Sequence, residues 1–175
     1  MNGHALHLAI NHFPIVLAIA GAAASLVAFI TRRRSVLLYA LATMLMAGVT
    51  VYPVQFTGEK AEDAIESRWY VDRAVVQLHE ESAERTTWIL IAGGVVAAGA
   101  LYLVLLAPRE ATPGMGMLTL VLMLSVSGAV AAGVTGWRGG AIVSRNERLR
   151  SDRVPPDSAT MSTDSVLGHD SHDGH

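Results

Sequence analysis

Four stretches of this chain, residues 13–30, 35–57, 86–107 and 114–137, contain no Asp, Glu, Lys or Arg. Each approaches or exceeds the ~20 residues that a helix needs to cross ~30 Å of hydrocarbon. Backbone polar groups in lipid must be satisfied internally, and these runs lack the two-residue alternation of barrel strands. The fold class expected is therefore all-α, an integral membrane four-helix bundle built as two helical hairpins. The first helix is expected over about Leu6–Ile30. A turn at Arg32-Arg33-Arg34 leads to the second, which ends near Thr57-Gly58. The third starts near Thr86. A turn over Pro108–Pro113 leads to the fourth, which ends within Thr135–Gly140. The first run is not read as a cleaved leader, because its arginines follow it rather than precede it.

Residues 59–85 form the longest polar connection, with eight acids and four bases. Ile65, Val75, Val76, His79 and Ala83 fall roughly on one face of a helix. This predicts an amphipathic connection between the second and third helices, lying on the bundle or at the interface. The domain division expected is a four-helix transmembrane domain over residues 1–145 and a polar, His-containing tail over residues 146–175. The tail's Ser, Asp, Gly and Pro content predicts disorder.

A formal net charge of −2 gives no reason to invoke nucleic acid. With no cysteine in the chain, a metal would be held by His, carboxylate, Met or backbone oxygen. No hydrolase or transferase motif is present, and no catalytic activity is expected. Membrane orientation rests on arginine placement. The triple-arginine turn is short, free of acids and directly follows the first helix, which favours both termini on the periplasmic side. A raw count of Lys and Arg favours the reverse.

Ionisable side chains at the mouths of the apolar runs are the candidates for chemistry, since such groups are costly near lipid without a partner or a ligand. His12 opens the first run, and His79 precedes the third at a corresponding position. Either could ligate haem or metal; either could instead bond to a backbone carbonyl or water. His7 is a further candidate cofactor-binding residue, but it lies about 140° from His12 on an ideal helix, so the two are not expected to share one ion. Glu59, Glu62 and Glu66 follow helical spacing, and Glu80 and Glu84 lie a turn apart beside His79. Glu59 and Glu80 could join His12 and His79 in a His/carboxylate site, or hold the second ring nitrogen of a ligand. They equally fit a solvated helix face. Pro14 can begin a helix or bend one. His169, His172 and His175 could bind Zn, Cu or Ni weakly, and His4 is read as a terminal residue. The methionines are read as packing residues.

The two halves share an order: histidine, helix, arginine turn, helix, Thr-Gly (Thr57-Gly58 and Thr135-Gly136). Hairpins related in this way could pack around a pseudo-twofold axis along the membrane normal, which would bring His12 and His79 towards each other on the same side of the bilayer. The opening His7-x4-His12-Phe13-Pro14-Ile15, with Thr57-Gly58 and His79, resembles the DUF2231 family of four-helix membrane proteins over roughly residues 4–145. Two departures stand out. Leu8 replaces the proline of the family's opening pattern, and residues 139–145 lack the histidine that similar proteins often carry shortly after the Gly-Gly of the fourth helix. The resemblance implies a bacterial inner-membrane protein in which haem or metal binding is suspected, similar to modules found beside c-type cytochrome domains.

Together these readings lead to the expectation of an electron-transfer subunit. It would bind haem b or a redox metal between the first and third helices, with His12 and His79 as ligands. The partner would be a quinone, a c-type cytochrome or another subunit. Two alternatives stand beside it. One is a non-catalytic structural subunit of a larger membrane complex. The other is a Zn, Cu or Fe site formed by His12, Glu59, His79 and Glu80.

Overall fold

The computed structural model describes residues 10–66 and 71–152. These form four long helices: α1 (His12–Thr31), α2 (Arg34–Glu66), α3 (Arg73–Leu106) and α4 (Met115–Asp152). All four are long and apolar enough to cross a membrane. The protein is an all-α four-helix membrane bundle. Each helix packs on its neighbours in the order α1–α2–α3–α4 and back to α1. The hairpins thus close into a ring, with α1 and α3 at opposite corners.

Pro14 lies in the first turn of α1, where its missing N–H is one the helix would leave unpaired. The helix ends at Arg32, which takes a left-handed conformation (φ 52°) and returns its N–H to the Ala28 carbonyl. Side chains inside are small or aliphatic. Ala28, Leu37, Leu41, Ala97, Leu118 and Val121 fill the end nearest the arginine turn. Ala18, Ala47, Val51, Leu90 and Ala132 fill the other. Between them Ser125 Oγ lies 2.8 Å from Ser25 Oγ and 2.9 Å from Met44 Sδ, joining α4 to α1 and α2.

Large residues face outward, as expected of a bundle solvated by lipid. Exposed aromatics sit in pairs on α2 and α3: Tyr39 with Tyr102 near one end, Tyr52 with Trp88 near the other. From Trp88 to Tyr102 the rise is about 21 Å at ~1.5 Å per residue. The two pairs mark two levels within the ~30 Å of hydrocarbon.

The helices outrun the apolar stretches. The second helix was expected to stop near Thr57-Gly58 but continues to Glu66. The expected separate connection is helical from Arg73 and runs unbroken into the third apolar stretch. Asp72 starts it, its carboxylate accepting the N–H of Ala74. Loss of hydropathy marks the membrane boundary and not the end of the helix. α4 likewise passes Gly140 and reaches Asp152, beyond the boundary expected at residue 145. The remainder of the tail, with His169, His172 and His175, lies outside the described residues, as do His4, His7 and the Trp69-Tyr70 pair.

Candidate functional site

His79 stands on the juxtamembrane turns of α3, nine residues before Trp88, about 13 Å beyond that aromatic level at ~1.5 Å per residue. Its ring is half-buried against α4. Gly139 makes the seat: a Cβ there would lie 3.1 Å from His79 Cε1. Nδ1 of His79 lies 3.2 Å from the carbonyl oxygen of Thr135. A carbonyl can only accept, so Nδ1 carries the proton and donates it. In the neutral ring this leaves the lone pair on Nε2. A backbone bond to one ring nitrogen is how a protein fixes the tautomer of a ligating histidine.

Around this ring α3 and α4 are joined by polar contacts. Thr86 Oγ1 lies 2.8 Å from Thr135 Oγ1, which donates to the Ser82 carbonyl at 3.0 Å. Arg138 donates through Nη1 to the Leu78 carbonyl at 3.0 Å. Further out, Arg145 pairs with Asp72 at 2.9 Å, and the Asp72 N–H donates to Asn146 Oδ1. Burial pushes the His79 pKa below its ordinary value. The Thr135 bond opposes that shift, and the charge of Arg138 adds to it.

His12 begins α1 at the same end of the bundle. The next turn of α1 carries Ile15, whose Cδ1 lies 3.2 Å from a Cβ built on Gly136. Because α1 and α4 are antiparallel, His12 lies beside the stretch of α4 that receives His79. It does so from the opposite corner, and its side chain is exposed. Beside it the buried Oδ1 of Asn11 has no partner among the described residues. The structure therefore gathers the two histidines at one end of the molecule but on opposite flanks of α4.

The carboxylates are less concentrated. Glu80 and Glu84 are exposed. Glu59, Glu62 and Glu66 continue α2 as backbone, and their side chains lie outside the described residues. Among the described residues no three His, Asp or Glu side chains come together as a metal-binding group. The residues that position His79, namely Thr135 through its carbonyl and Gly139 through its missing side chain, were not singled out by sequence reasoning. The Thr-Gly and Gly-Gly pairs at the end of the fourth apolar run were the available signal.

A family model described as predicted membrane protein (DUF2231) matches residues 3–148. No curated protein and no solved structure matches.

Proposed function

The chain belongs to the DUF2231 family of predicted membrane proteins, and from that premise we propose that it is an electron-transfer subunit of a bacterial inner membrane in which His79 would hold haem b. The observation that carries this reading is the bond of His79 Nδ1 to the Thr135 carbonyl, which presents Nε2 as a neutral donor. His12, at the same end of the bundle, is the second ligand proposed; it is exposed on the opposite flank of α4, so the two could hold one group only with an inward shift of the first turn of α1. A bound haem would supply reversible one-electron chemistry. The protein's part is to hold the imidazole in one tautomer and one orientation. A quinone or a c-type cytochrome would exchange the electron. Asn11 Oδ1, a buried acceptor without a described partner, fits a site that a polar group completes.

A second reading rests on a specific observation. Gly139 and Thr135 together account for the His79 ring as a helix-packing element, and His12 is exposed. These features suit a structural subunit whose histidines join helices. A site for Zn, Cu or Fe on His12, Glu59, His79 and Glu80 is a third reading; in it His12 and Glu80 would contribute from exposed positions.

The deciding experiment is the absorption spectrum of the detergent-purified protein, oxidised and reduced, with metal analysis on the same sample. A Soret band with sharp α and β bands on reduction supports haem. His79→Ala and His12→Ala should then each abolish the bis-histidine spectrum. Stoichiometric metal without a Soret band supports the His/carboxylate site. A colourless, metal-free protein from gentle purification supports the structural subunit. If both alanine variants retain the full spectrum, the ligand assignment is wrong.

A further inference from the structure

At the end of the bundle away from the histidines, the two short turns meet. Arg34, the first residue of α2, donates through Nη1 to the carbonyls of Ala107 at 3.1 Å and Pro108 at 2.6 Å. Through Nη2 it donates to the carbonyl of Val104 at 2.6 Å. Val104 and Ala107 are at the end of α3, where carbonyls lack helical partners; the Pro108 carbonyl just beyond also accepts the Ala111 N–H at 3.0 Å. They are neutral, so the guanidinium keeps its charge, and its Nε–H takes no part in these bonds. Arg32, Arg33 and Arg109 are exposed on the same surface. Among the described residues none of these four arginines forms an ion pair. Glu110 is the one acid in the two turns. α2 and α4 both begin here without an acidic residue in the first turn, so their positive dipole ends face the same surface.

Between the turns lies a surface cavity of about 290 Å³. Arg34 and Thr112 supply its polar lining; Leu103, Val104, Pro113 and Met117 supply apolar wall. Leu103, Val104 and Ala107 close the third charge-free run and Arg34 lines the same cavity, so the cavity sits where headgroup and acyl chain meet. We propose that it binds one anionic phospholipid. The phosphate group lies among Arg34, Arg33 and Arg109, and the start of an acyl chain lies along Leu103, Val104 and Met117. A free phosphate ion would match the charge but would leave the apolar wall without a partner. A zwitterionic lipid would match the wall but leave the net positive charge uncompensated. Basic residues at a membrane surface each contribute on the order of fivefold to the binding of anionic lipid.

Native mass spectrometry of the full chain in mild detergent tests this. Phosphatidylglycerol and phosphatidylcholine with identical acyl chains are offered in turn. The expected result is one retained phosphatidylglycerol per chain, in clear preference to phosphatidylcholine and undisturbed by millimolar inorganic phosphate. Arg33→Gln and Arg109→Gln alter exposed side chains and leave the Arg34 bonds in place. Each should weaken retention about fivefold while circular dichroism stays unchanged. Met117→Trp, which fills the cavity without altering charge, should also weaken it. Equal retention of the two lipids overturns the proposal. So does indifference to the Arg33→Gln/Arg109→Gln double variant, and so does displacement by inorganic phosphate alone.

Discussion

Protonating His79 would place a second positive charge beside Arg138 in a position already short of water. The imidazole has a lowered pKa in the fold, against an ordinary value of 6.5. Between that value and the lowered one the unfolded chain binds more protons than the folded chain. Stability should therefore fall as pH drops below about 6.5, level off beneath the folded pKa, and be independent of this group at higher pH. Thermal unfolding in detergent between pH 7.5 and 5.5 checks the point. His79→Asn puts an amide N–H where Nδ1 stands, keeps a donor for the Thr135 carbonyl and removes the titration, so it should flatten the dependence. An unchanged slope in that variant would assign the effect to another group. The seat of the ring gives a second expectation. Gly139→Ala puts a methyl 3.1 Å from His79 Cε1, so the ring must shift by a few tenths of an ångström. On the haem reading proposed above, the bound sample should report this as a shifted reduction potential with little loss of helix. Arg34 shows what a sequence hides at this scale. Its charge is plain, and its place in a triple-arginine turn reads as a signal for orientation. Its bonds to three backbone carbonyls some seventy residues away have no side-chain signature at the receiving end.

Helix pairs are set by how closely backbones approach. Gly48 of α2 and Gly94 of α3 mark the tightest crossing: a Cβ on Gly48 would lie 2.8 Å from the Leu90 carbonyl oxygen and 3.1 Å from Gly94 Cα. Backbone atoms cannot yield as a side-chain tip can, so Gly48→Ala should destabilise the protein by about 1–3 kcal/mol. Gly99, on the same α3, meets nothing within 4 Å. Gly99→Ala should be neutral or slightly stabilising, since alanine is the better helix former. Unfolding midpoints of the two variants, measured side by side, separate packing from propensity. The existence of four helices was legible because charge-free runs of this length have few alternatives in lipid. Their true ends were less so. Arg73–Arg85 read as a separate connection because hydropathy falls there, whereas backbone hydrogen bonding continues through polar residues as readily as through apolar ones. Asp72, an acceptable N-cap ahead of an uninterrupted helical sequence, was the cue.

At the scale of the whole molecule the bundle is lopsided. α1 has 20 residues and is about 30 Å long at ~1.5 Å per residue, enough for the hydrocarbon alone. α3 and α4, with 34 and 38 residues, reach about 51 and 57 Å. The surplus projects on the histidine side, where Asp72–Arg145 and Arg138–Leu78 join the two extensions. Because the chain has no cysteine, single substitutions can map this arrangement directly. Ser144→Cys and Arg33→Cys should each react with a membrane-impermeant maleimide, from opposite faces of a sealed vesicle. Val130→Cys should not react from either. Labelling of both exposed sites from one face would contradict the topology. The pairing of His12 with His79 at one end followed from counting helices. Their separation on opposite flanks of α4 did not, because it depends on the hairpins closing into a ring rather than lying side by side.

The bonds of Arg34 bear on how the protein is made. They span seventy or more residues of sequence, so the first hairpin must wait, inserted and incomplete, until the end of α3 has been synthesised. Only then does the guanidinium find its carbonyls and the second hairpin its neighbour. The arginine thus records the docking of α3 on α2, and a chain truncated before residue 104 would leave its first hairpin without this closing contact.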